Sequence, residues 1–148
     1  IKGIADIKRS YALLPTAEGG YYLGNAAMEQ KNYQRAKAYF KIGAKSSENV
    51  GSLSRAKLLV LNQRLNPERY IRISQIQNWD GEMVIRLTNL ASVSIGNLQI
   101  QLTDGVAARE LSLGETILPS ESVNIQPEQH AFLKRPFLVK ILKATVVE

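Results

Sequence analysis

The hydrophobic pattern of this chain has two periods, and the change falls near residue 66. Before it, apolar residues recur at helical spacing. The segment Ala17 to Glu29 predicts a helix, with Thr16 as N-cap after Pro15 and Glu18 in the first turn, where the helix dipole favours an acid. Tyr22, Leu23, Ala26 and Ala27 form one face of it at i, i+1, i+4 and i+5. A polar break at Gln30-Lys31-Asn32 leads into a second helix over 33–46, with Ala36, Phe40, Gly43 and Ala44 on one face. After Ser46-Ser47-Glu48-Asn49 and Gly51-Ser52, a third helix runs over 52–65 and stops at Asn66-Pro67, because proline pushes the residue before it out of helical space. A short helix over Gly3–Leu14 precedes all three and ends at Pro15. The third helix is apolar on two sides, Leu53, Ala56 and Val60 on one and Leu58, Leu61 and Leu65 on the other. Such a helix is usually covered twice. The expectation is that other helices cover one side and that helix 52–65 docks on the second half of the chain through the other.

After residue 66 the period is two. Ile71 and Ile73 alternate, as do Met83, Ile85 and Leu87, then Leu98, Ile100 and Leu102, then Leu111 and Leu113, then Val123 and Ile125; a run from Phe137 to Val147 closes the chain. Asp80-Gly81 and Asp104-Gly105 fall between runs, and Asp-Gly is favoured in tight hairpins where both positions need positive φ. Six or seven short antiparallel strands predict a small β-sandwich, with a β-barrel as the alternative. The fold class is therefore α+β in series. A helical region occupies 1–66 and a sandwich occupies 67–148.

Composition narrows the chemistry. The 148 residues contain no cysteine and one histidine, His130, which excludes disulfides, thiol catalysis and any two-histidine metal site. The net charge is +6, and residues 1–70 carry 12 Lys/Arg against 5 Asp/Glu. That excess is read as a solvated helical face. Nucleic-acid binding is not expected, because the basic residues are not interleaved with aromatics on a sheet. The longest aliphatic run, Leu58-Leu59-Val60-Leu61, is far too short to span a membrane. A chain that begins at Ile1 without methionine is read as a piece of a longer parent.

The helical spacing also carries a family resemblance. Leu23-Gly24, Ala27, Asn32-Tyr33, Ala36, Phe40 and Ala44 resemble a tetratricopeptide (TPR) repeat over about 17–49, with flanking helices. The pattern departs at Gly20, Gly43 and Glu48, where aromatic, alanine and proline are usual. The resemblance implies further repeats before Ile1, since one repeat cannot bury its faces alone. The order of TPR pieces, then Asn66-Pro67-Glu68-Arg69-Tyr70-Ile71, then strands is similar to the C-terminal part of secreted bacterial TPR zinc metallopeptidases related to the β-barrel assembly-enhancing protease. Leu118-Pro119-Ser120-Glu121-Ser122-Val123 resembles a turn of bacterial Ig-like accessory domains, with Ser120 in place of glycine.

What the resemblance implies is a non-catalytic segment of a periplasmic or secreted protein. It would hold clients or peptides for a metallopeptidase or an assembly factor. The His-Glu-x-x-His motif of those enzymes is absent from this chain, so any zinc belongs to another part of the parent, and no cofactor is expected here. The groove positions of a TPR helix fall on Glu18, Tyr21, Asn25, Met28 and Glu29. Asn25 matches the asparagine of carboxylate-clamp repeats, whereas Tyr21 stands where those have lysine. Trp79, the sole tryptophan, is a candidate partner anchor beside a hairpin turn. His130 reads as a surface histidine, and Asp80 with Glu82 as ordinary turn acids. The partner expected is a protein or peptide; a carbohydrate-binding accessory module or a stand-alone TPR scaffold is the alternative.

Overall fold

The computed structural model describes residues 2–13, 15–77, 82–126 and 138–147. The chain divides into two compact units, Ile1–Leu65 and Asn66–Glu148. The first holds four helices, α1 (Lys2–Leu13), α2 (Ala17–Glu29), α3 (Tyr33–Gly43) and α4 (Asn49–Leu65). The second opens on a 3-10 turn (Pro67–Tyr70) and continues as β1 (Ile71–Gln77), β2 (Met83–Asn89), β3 (Ser94–Thr103), β4 (Ala108–Leu113), β5 (Ser122–Ile125) and β6 (Leu138–Val147). The architecture is α+β, helices first and antiparallel strands after.

The helix ends are built from local chemistry. The Thr16 hydroxyl accepts a hydrogen bond from the Gly19 amide at 3.0 Å, satisfying one of the orphan donors that start α2. At the other end of α2 the Lys31 amide donates to the Met28 carbonyl and the Asn32 amide to the Ala27 carbonyl, both at 2.9 Å. Lys31 has a φ of 55°. These features form a Schellman turn, in which glycine usually holds the left-handed position. Asn32 then caps α3, its side-chain oxygen accepting from the Arg35 amide at 3.2 Å. The three polar residues of the break thus close one helix and start the next. Arg55 of α4 donates to the carbonyls of Ala44 at 2.8 Å and Ser46 at 3.2 Å, tying down the last carbonyls of α3 and its exit.

The helical core is small. Ala27, Ala36, Phe40 and Leu61 are buried, with Tyr21, Met28, Tyr33, Tyr39 and Leu58 packed around them. Close approach makes this possible. A Cβ at Gly24 would lie 2.6 Å from the Phe40 ring, and one at Gly20 would lie 2.8 Å from the Tyr39 carbonyl oxygen. Gly20 and Gly43, two of the positions that depart from the repeat pattern, are therefore where backbones meet. Gly43 faces Ser54 of α4. This contact corrects the reading of the last helix. Its buried face runs through Gly51, Ser54 and Leu61, whereas Ala56 is exposed and Leu53 is 41% exposed. Small residues, not the Leu53–Ala56–Val60 stripe, set how α4 turns toward α3. The face expected for α2 is corrected too: Leu23, Ala26 and Ala27 are buried with Gly20 and Gly24, but Tyr22 is 58% exposed.

The strands form two three-stranded antiparallel sheets, ordered β1-β2-β5 and β4-β3-β6. One core lies between their residues: Ile71, Ile85, Leu87 and Ile125 from the first sheet, Ile95, Leu98, Ile100 and Leu102 from the second. Alternation delivers Ile85 and Leu87 of β2 and Leu98, Ile100 and Leu102 of β3 to the core, and an irregularity at Gly96–Gln99, where Asn97 has a φ of 49°, brings Ile95 to it as well. Among the described residues the strands do not close into one barrel sheet. The Asp104-Gly105 hairpin differs from the tight turn expected. The loop spans 104–107, only Gly105 has positive φ (88°), and the Asp104 carboxylate accepts from the amides of Val106 and Ala107. An Asx turn replaces the two-residue hairpin. Asp80-Gly81 and Phe137 lie outside the described residues.

Asn89 organises the end of β2. It is fully buried, and its amide nitrogen donates to the carbonyls of Val93 at 2.8 Å and Ile117 at 2.9 Å, while its oxygen accepts from the Ala91 amide at 2.8 Å. Its backbone joins the turn Leu118–Glu121 through Asn89 N to Glu121 O and Ser120 N to Asn89 O. Ser120 in this turn has a φ of 66°, the left-handed region that favours glycine.

Candidate functional site

The residues singled out on α2 form a line along one helix. Taking 100° per residue, Glu18, Tyr22, Asn25 and Glu29 fall within about 60° of one another, at i, i+4, i+7 and i+11. Tyr21 and Met28 fall to one side, toward the core. The contacts agree. Tyr21 is half-buried, 6.0 Å from the Phe40 ring centroid and 5.7 Å from that of Tyr22, and Met28 packs on the same core. Glu18 and Glu29 are exposed, and Asn25 is half-buried. Of the five groove residues expected, three thus lie along the open stripe and two serve packing. Tyr22 also lies on this stripe, about 40° from Glu18 by the 100° arithmetic, although the resemblance does not pick it out as a groove position.

Beside this stripe α1 and α2 enclose a cavity of about 260 Å³. Its walls are Ile7, Ser10 and Tyr11 from α1, Thr16 before α2, and Glu18, Gly19 and Tyr22 on α2. The Tyr11 ring fits because Gly19 has no side chain; a Cβ there would lie 2.8 Å from the Tyr11 ring. Tyr11 also meets Tyr39 edge-on, with ring centroids 5.6 Å apart. Its hydroxyl is buried without a hydrogen-bond partner. Burial, and secondarily the neighbouring Tyr39, raises the Tyr11 pKa above the ordinary phenol value.

The helices differ in charge. Across Ala17–Glu29 the sequence carries Glu18 and Glu29 and no Lys or Arg; across Tyr33–Gly43 it carries Arg35, Lys37 and Lys41 and no acid. The open face of α2 is acidic although the helical unit as a whole is basic. No cation on α2 could complete a carboxylate clamp with Asn25. Among the described residues no three His, Asp or Glu side chains gather as a metal site, and no helix is long and apolar enough to cross a membrane. Trp79 and His130 lie outside the described residues, as does Asp80.

No protein family, characterised protein or solved structure matches this chain.

Proposed function

We propose that the chain is a non-catalytic protein-interaction segment, in which the helical unit holds an extended peptide or client segment along α2. The observation that supports this most is the continuity of the open Glu18–Tyr22–Asn25–Glu29 stripe with the cavity at Tyr11 and Tyr22. It combines acidic, amide and aromatic groups that do not serve the core. The TPR reading is supported by the close packing of Gly24 on the Phe40 ring and by the short turn at Asn32. The Ig-like reading is supported by the strand order, since β5 returns to β2 and β6 to β3 across the two sheets. On this reading the segment serves a bacterial cell-envelope metallopeptidase or assembly factor, in the periplasm or secreted, and any zinc chemistry resides elsewhere in the parent.

Calorimetric titration of the full chain with peptides selected from a display library tests the reading. Tyr22→Ala and Asn25→Ala should each weaken binding at least about fivefold, roughly 1 kcal/mol, while leaving the melting temperature within a few degrees. Tyr21→Ala is a poor probe, because its ring packs on Phe40. Unchanged affinity in both variants would show that the α2 stripe is not the site.

A further inference from the structure

The charge pattern along α2 identifies the class of peptide, and the inference rests on the peptide-holding reading above. The geometry points to an extended basic peptide, with one Arg or Lys side chain seated in the α1–α2 cavity against Glu18 and a second basic residue about five positions away meeting Glu29. Among the described residues Glu18 is the single charged one in the cavity wall, and it is negative. The rings of Tyr11 and Tyr22 and the Ile7 side chain supply apolar surface beside it, and Ser10, Thr16 and Gly19 complete the wall. A long cationic side chain suits such a wall: its methylenes lie on apolar surface, its charge is favoured by aromatic faces, and a carboxylate meets its head. An anionic side chain finds no cation there. The Gly19 amide at the start of α2 is already taken by Thr16, which removes a donor an anion would use.

The spacing follows from helix geometry. Glu18 and Glu29 are eleven residues apart on one face, about 16 Å at 1.5 Å per residue. An extended peptide covers that distance in about five residues at roughly 3.3 Å each. Neither glutamate is in an ion pair among the described residues. Glu29 also occupies the last turn of α2, where the helix dipole disfavours an acid. Its charge costs the helix stability and gains meaning from a cationic partner. The cations of α3 stand on a neighbouring helix, and salt attenuates their repulsion of a basic peptide. Packed helices lie about 8–10 Å apart, close to the screening length of about 8 Å at physiological salt.

The test is calorimetry on the full chain with three blocked peptides of one length: one with Arg at the two positions five apart, one with Glu there, and one with Gln. The Arg peptide should bind at least about tenfold more tightly than the Gln peptide and weaken as salt rises, and the Glu peptide should bind least. Glu18→Gln should remove most of the preference. Glu29→Gln should weaken the Arg peptide severalfold while raising the melting temperature, a combination that damage to the fold does not produce. Glu18→Lys paired with the Glu peptide should restore binding. Equal affinity for the Arg and Gln peptides, or a preference insensitive to both glutamates, overturns the basic-peptide inference and leaves the groove standing. Binding of none of the three, together with none of the library-selected peptides, overturns both.

Discussion

Asn89 carries more of the β unit's organisation than any apolar residue around it. A buried amide is tolerated because every polar atom has a partner, here two carbonyls and one amide from three separate positions, Val93, Ile117 and Ala91. The residue fixes the path from β2 into β3 and holds the Leu118–Glu121 turn against it. Asn89→Asp tests this nearly isosterically. The change removes the N–H donors, takes from the Val93 carbonyl its side-chain donor, leaves the Ile117 carbonyl with the Ile95 amide alone and places a carboxylate in the core. The expected loss is about 3–5 kcal/mol by urea denaturation near neutral pH. A loss below about 1 kcal/mol would mean that the loops hold themselves. Nothing in the local sequence marked Asn89. It ends an alternating strand, and an asparagine there reads as a turn residue until Ile117, 28 positions later, is seen to return to it.

At the scale of elements, the signals that act within a few residues were legible. Thr16 starts α2, Pro67 follows the end of α4, and period-two runs mark all six described strands. The angular position of each helix was less legible, because it is set by what packs from outside. Gly20 and Gly43 read as departures from a repeat, yet Gly20 is where α2 meets α3 closely and Gly43 is where α3 meets α4. Tyr21 was preferred to Tyr22 on resemblance alone, although one residue is a 100° turn of the helix. The Gln30-Lys31-Asn32 break hides a further mismatch. Lys31 holds the left-handed position of the α2 end, which costs a side-chain-bearing residue about 1–2 kcal/mol. Lys31→Gly should therefore stabilise the chain by about 0.5–1 kcal/mol, after allowing for the added freedom of the unfolded state. Lys31→Ala should give no such gain. Equal effects from the two would place the cost elsewhere than in the backbone.

At the scale of the whole molecule, the two units bury their cores very differently. Among the described residues, the β unit's core cluster contains ten buried residues, most of them Ile and Leu, whereas the helical core cluster contains four, two of which are alanine. Within the helical unit, α1 has no buried side chain between Gly3 and Leu13. Helices of this length gain most of their stability from packing, so α1 should open most easily. Amide hydrogen exchange should show α1 losing protection first and β3 last. Protection in α1 equal to that in β3 would refute this ranking. The same experiment bears on the groove, because α1 supplies Ile7, Ser10 and Tyr11 to the cavity wall. A peptide side chain seated there adds partner surface to α1 beyond the packing of Tyr11 on Gly19 and Tyr39. The peptide with Arg at two positions five apart should therefore slow exchange in α1 and the first turns of α2 and leave β3 unchanged. Slowing spread equally over both units would point to nonspecific association with the acidic residues of the chain as a whole.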